Sequence, residues 1–114
     1  MAADEITITD FLNVDIRAGR IVRAEAFPRA RRPAYKLWID FGDLGVRKSS
    51  AQITDLYALD DLEGRLVMAV VNLPPRQVAD FMSEVLVLGV PGEGGGDVVL
   101  IAPDREVKPG ARLL

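Results

Sequence analysis

The chain has no cysteine and no histidine. The first absence excludes a disulfide framework and any thiolate nucleophile or thiolate metal ligand. The second removes the commonest general base and the commonest metal-binding side chain. Long apolar runs are missing too. Leu66–Val71 and Val85–Leu88 fall far short of the roughly 20 residues a membrane-spanning helix needs. The opening MAADEITITD is acidic and has no apolar segment of the kind secretion signals carry. There is no GxxxxGK[ST], HExxH or GxSxG motif. Asp60-Asp61 reads as a solvated helix end, not a catalytic pair. The Gly-rich 91–97 stretch, PGEGGGD, leads into a strand and not a helix, so it is a surface loop and not a phosphate cradle. The expectation is a cytoplasmic, non-enzymatic chain with no metal, no cofactor and no membrane insertion.

What is present is a single domain's worth of apolar sequence, 49% of 114 residues, with a net charge of −3. The charge is unevenly spread. From Arg17 to Lys48 there are nine Lys/Arg against three acids, and elsewhere five against fourteen. Such segregation polarises a small domain and steers anionic partners to one face.

The pattern predicts an all-β chain, with 1–10 as an N-terminal extension and 11–114 as the domain. Thr7-Ile8-Thr9-Asp10 has capping-box spacing and starts a helical turn. Val14–Phe27 is a long strand whose phase changes after Gly19, as at a bulge or barrel corner. Tyr35–Phe41 alternates cleanly, Gly42–Gly45 turns, and Val46–Ile53 returns. Thr54–Gly64 is a short acidic helix, Arg65–Asn72 a central apolar strand, and Val78–Met82 a helical turn. Glu84–Val90 and Val98–Ala102 are strands, and Arg105–Leu114 closes the domain. Five long strands with a short helix between the third and fourth fit a partly open Greek-key barrel, the OB-fold.

Four candidate groups stand out. Arg29, Arg31, Arg32 and Lys36, in and after a loop bracketed by Pro28 and Pro33, suit a phosphate clamp, and Arg47 and Lys48 follow on the next strand. Trp38 is either a base-stacking platform or part of a second small core or subunit interface. Ser49, Ser50 and Gln52, with Asn72, can read base edges, or they can form a polar sheet edge that discourages aggregation. Tyr57, Phe81 and Met82, with Trp38, can line an apolar groove for a peptide; core packing is the plainer assignment for them.

VDIRAGRIVRAE at 14–25, SSAQIT at 49–54, LEGRLVMAVVNLPP at 62–75 and FMSEVLVLG at 81–89 resemble the tRNA-binding-domain superfamily. The loop FPRARRPAYKLWIDFG at 27–42 is similar to the CsaA family. The resemblance implies an OB-fold homodimer that binds tRNA and acts in protein export as a chaperone on unfolded or precursor polypeptides. It implies RNA contacts at Arg31, Arg32, Lys36, Arg47, Lys48, Ser49, Ser50 and Gln52, with Asn72, Ser83 and Glu84 at the motif ends. Ser83 and Glu84 have a structural alternative, tying the last strands together. The competing reading is a purely polypeptide-binding chaperone that uses the apolar groove and has no physiological RNA partner.

Overall fold

A computed structural model describes residues 1–114. The alternating segments become a meander: β1 (Ile16–Ala26), β2 (Tyr35–Asp40) and β3 (Val46–Ala51) pair antiparallel in sequence order. β4 (Leu66–Val70), buried at every position, crosses to the other side of β1 and pairs with β7 (Leu86–Val87). The resulting sheet has the order β3-β2-β1-β4-β7 and curls into a nearly closed barrel, an OB-fold. Its core holds Ile21, Leu37, Ile39, Phe41, Leu62 and Val67, all without solvent exposure. A smaller core lies outside the barrel wall, where Phe27, Ala34 and Phe81 meet.

The length of β1 lets it serve three partners. Its first half pairs with β4, and its second half with β2. On the edge that β2 leaves free, the C-terminal tail bonds to it: Ala18 N–H to Ala111 O at 2.9 Å and Leu113 N–H to Ile16 O at 2.8 Å. The predicted irregularity is present, as a register shift between Ile21 and Arg23. Gly19 has a different task. A Cβ there would lie 2.5 Å from the Ile39 side chain, so the glycine admits two core side chains against the backbone.

Several elements differ from the sequence expectation. The Thr54–Gly64 helix is reduced to a 3-10 turn at Leu59–Asp61, with Asp61 accepting from the Ala58 N–H at 2.9 Å. A segment this short cannot offset helix nucleation, and only Leu62 is fully buried in the core, with Tyr57 packed at its edge. Val78–Met82 is not helical. It lies in a hairpin of β5 (Arg76–Val78) and β6 (Phe81–Ser83), turned at Ala79 with φ 51°. The strand expected over Glu84–Val90 is broken into β7 and β8 (Gly89–Pro91), and β8 pairs with β9 (Val98–Leu100) across the Gly-rich loop. The N-terminal turn forms as expected: α1 (Ile8–Leu12) is closed by Thr7 and Asp10 bonding each other's backbone N–H.

Asp15 locks the start of β1 to the tail. It accepts from Arg17 Nε at 2.7 Å and lies 3.4 Å from Arg112 Nε, while Arg17 also donates to Gly110 O at 3.1 Å. The Arg17 hydrogen bonds hold the Asp15 carboxyl below its usual range against the opposing pull of partial burial, and the Arg17 and Arg112 charges add to them. A depressed folded-state pKa means this contribution is present in full above about pH 5 and fades as the pH drops through the acid range. Asp15→Asn should therefore cost about 1–2 kcal/mol at neutral pH. Urea midpoints of the two proteins should converge as the pH is lowered toward 3. A pH-independent gap would assign the loss to packing instead.

Candidate nucleic-acid interface

The β1–β2 loop is pinned at both ends. Phe27 and Ala34 are buried beside Phe81, which leaves the intervening Arg31 and Arg32 exposed. Gln52 extends past β3 and Arg76 opens β5. These four residues line one hollow, and none of them is acidic or hydrophobic. None of its three guanidiniums takes part in a salt bridge. Sequence reasoning does not single out Arg76. Its only signal is a basic residue after a pair of prolines, and what brings it to the loop is a hairpin that the local pattern hides.

Gln52 and Arg76 also border a second groove, between β3 and the β5–β6 hairpin. Ser50, Ser83 and Glu84 supply its polar atoms, and Leu73, Pro74 and Val78 part of its apolar wall. Ser83 and Glu84 also close the barrel. Ser83 Oγ accepts from the Ser50 N–H at 3.0 Å, and Glu84 Oε1 accepts from the Lys48 N–H at 2.9 Å. Side chains here satisfy the donors of an edge strand that a regular ladder would otherwise pair.

The second core is capped by cations. The Lys36 ammonium lies 4.9 Å from the Phe27 ring centroid and 5.5 Å from that of Phe81, and Lys48 lies 5.1 Å from Phe81. Trp38 meets Phe81 edge-on at 5.8 Å, and the Arg23 guanidinium covers it at 4.5 Å. Trp38 thus belongs to the second core, one of the two roles its sequence position left open.

Other candidates are placed away from the hollow. Ser49 is fully buried and donates to Val85 O at 3.1 Å, so it is a core residue and not a base reader. Arg47 shares the Ser49 face of β3, opposite Lys48, and donates to Leu44 O. Asn72 uses its amide on the backbone: it accepts from the Asp15 N–H at 2.9 Å and donates to Asn13 O at 2.8 Å. Arg29 is paired with Asp80 at 3.1 Å. Tyr57 flanks the barrel core, and Phe81 lies in the other, so the groove expected from these two aromatics with Met82 does not form around them. Met82 is exposed. Of the nine-cation strip, Arg17, Arg20, Arg23 and Arg29 are neutralised by neighbouring acids.

A small OB barrel with an arginine-lined hollow at its rim has the form of a binding module. Residues 16–112 match the family described as "Putative tRNA binding domain". The structure superposes on chaperone CsaA from Bacillus anthracis with a TM-score of 0.90 at 50% identity, covering 97% of this chain and 100% of that one. It superposes on the CsaA chaperone protein from Picrophilus torridus with a TM-score of 0.89 at 48% identity, covering 96% and 100%. Methionine–tRNA ligase from Nitrosomonas europaea is 40% identical over 97% of this chain, which spans only 15% of the ligase. The chain belongs to the tRNA-binding-domain family and, within it, to the CsaA group. The ligase likeness is confined to this domain, which spans 15% of that enzyme.

Proposed function

We propose that this protein binds tRNA through the hollow formed by Arg31, Arg32, Arg76 and Gln52, flanked by Lys36 and Lys48. The observation that carries the reading is the convergence of three guanidiniums with no carboxylate partner. Like charges gathered without counter-charges are costly unless a polyanion joins them, and guanidinium forks suit phosphate. Binding of this kind releases counterions, so affinity falls steeply with salt. In filter binding at two salt concentrations, Arg31→Ala/Arg32→Ala should bind tRNA ten- to about a hundredfold more weakly. Its salt slope should be smaller by about one for each phosphate that is no longer neutralised. Unchanged affinity and slope would overturn the assignment.

Chaperone activity on unfolded or precursor polypeptides, in the cytoplasm and in support of export, is the accompanying reading. It is favoured by the two CsaA relatives and by the apolar wall of the groove that adjoins the hollow. A homodimer goes with it. Leu12, Val14 and Leu113 are exposed around the start of β1, where the tail adds a further strand edge. Suppression of client aggregation that tRNA reverses would place both ligands on one face. Sedimentation showing only monomer at micromolar concentration would remove the dimer.

A further inference from the structure

We propose that the groove beside the arginine hollow is a nucleobase site, with Glu84 as its hydrogen-bond acceptor, selecting an unpaired nucleotide that carries an exocyclic amino group. The inference rests on the tRNA-binding reading above. Its starting point is the one acid that lines this groove. Glu84 borders the groove that runs on from Arg31, Arg32 and Arg76 through Gln52. A carboxylate accepts and never donates, so it repels phosphate and has a favourable partner only in a donor. On a nucleic acid, the donors away from the ribose lie on base edges, and an acid paired with cytosine N4–H is an established recognition geometry.

The position of Glu84 fits that role. Its backbone N–H donates to Lys48 O at 2.8 Å, and Oε1 accepts from the Lys48 N–H at 2.9 Å. The first bond fixes the backbone of Glu84 against β3 and the second its side chain. Oε2 makes no hydrogen bond within the protein. The Ser50 hydroxyl, on the same groove, is likewise unused. Leu73, Pro74 and Val78 give an apolar wall on which a planar ring can lie, while its phosphate is held by the guanidiniums next door. Cytosine offers an amino group to Oε2. Uracil offers N3–H only between two carbonyl oxygens, which the carboxylate repels. The hollow thus supplies charge attraction without sequence preference, and the groove supplies the preference.

The test is fluorescence anisotropy with short labelled cytidine and uridine homo-oligonucleotides at one salt concentration, alongside tRNA filter binding. The wild type should bind oligocytidine about tenfold more tightly than oligouridine. Glu84→Gln keeps an oxygen to accept from Lys48 N–H and places an amide donor at the Oε2 position. Its melting temperature should be that of the wild type, and its preference should vanish or turn toward uridine. Equal wild-type affinity for the two oligomers, or a preference that Glu84→Gln leaves intact, overturns the nucleobase site. Displacement of neither oligomer by tRNA, with displacement of an extended apolar peptide from the groove, would also overturn it in favour of a polypeptide occupant. Those failures are separable from failure of the RNA reading itself. That reading falls only if tRNA binding is absent or indifferent to Arg31→Ala/Arg32→Ala.

Discussion

Gly19→Val should lower stability by about 3 kcal/mol or more, seen as a shift in the urea midpoint with an unchanged slope. The first atom of the new side chain would lie 2.5 Å from Ile39 Cγ2 and 2.6 Å from Phe41 Cε1. Both neighbours are fully buried and cannot swing into solvent. β1 cannot move outward either, because β4 holds it on one side and the C-terminal tail on the other. Removing a glycine from a strand also restricts the unfolded chain, which stabilises by about 0.4–1 kcal/mol. That gain is smaller than the overlap penalty, so the sign is settled. Shortening the obstructing ring tests the mechanism: Gly19→Ala/Phe41→Leu should be more stable than the sum of its single changes implies. A Gly19→Val midpoint close to wild type would show that the barrel wall yields where the packing says it cannot.

The same glycine shows how far the sequence can be read. Its position in a strand with a broken phase points to barrel curvature, and curvature is there. What it accommodates, Ile39 on the neighbouring strand β2 and Phe41 just beyond its end, depends on a register that local pattern does not encode. β1, β2, β3 and β4 are legible because alternation or continuous apolarity is a local signal. The acidic Thr54–Gly64 segment carries an equally local signal for helix, but most of it has no surface to pack on.

The site is legible in part, for the same reason. Arg31 and Arg32 stand in a loop that prolines bracket, so the loop and its exposure can be read from sequence neighbours. What its buried ends pack on, however, is Phe81, far along the chain. The partners that neutralise Arg20 and Arg29 are Glu106 and Asp80, far along the chain, and only the fold brings them close. Ser49 and Ser50 are adjacent and identical in chemistry, yet strand pleating buries one and leaves the other on the groove. Asn72, exposed and amide-bearing, is occupied by the backbone of residues 13 and 15. The ion pairs of Arg20 and Arg29 and the amide bonds of Asn72 are long-range pairings, which composition and spacing cannot report. Pleating, by contrast, separates the two serines but does not say which one faces the core.

Phe81→Ala should be the most damaging change outside the barrel core, at about 3–5 kcal/mol, and it should weaken tRNA binding as well. The ring meets Phe27 at 5.5 Å and Trp38 at 5.8 Å, both edge-on, and holds two ammonium groups over its face. Its loss opens a cavity beneath Lys36 and Lys48 and frees the hairpin that carries Arg76. Phe81→Leu separates the two contributions. It restores most of the apolar volume, so much of the stability should return, while the attraction of each ammonium, roughly 0.5–1 kcal/mol at a partly exposed site, stays absent. The expected stability order is wild type, Phe81→Leu, Phe81→Ala. tRNA affinity, measured where all three proteins are folded, should follow the same order, with a smaller salt slope for Phe81→Ala because fewer cations are held in place. If Phe81→Ala loses stability but keeps full tRNA affinity and slope, then the cations are not positioned by the aromatic cluster beneath them. The hairpin would be a cover for Trp38 and nothing more.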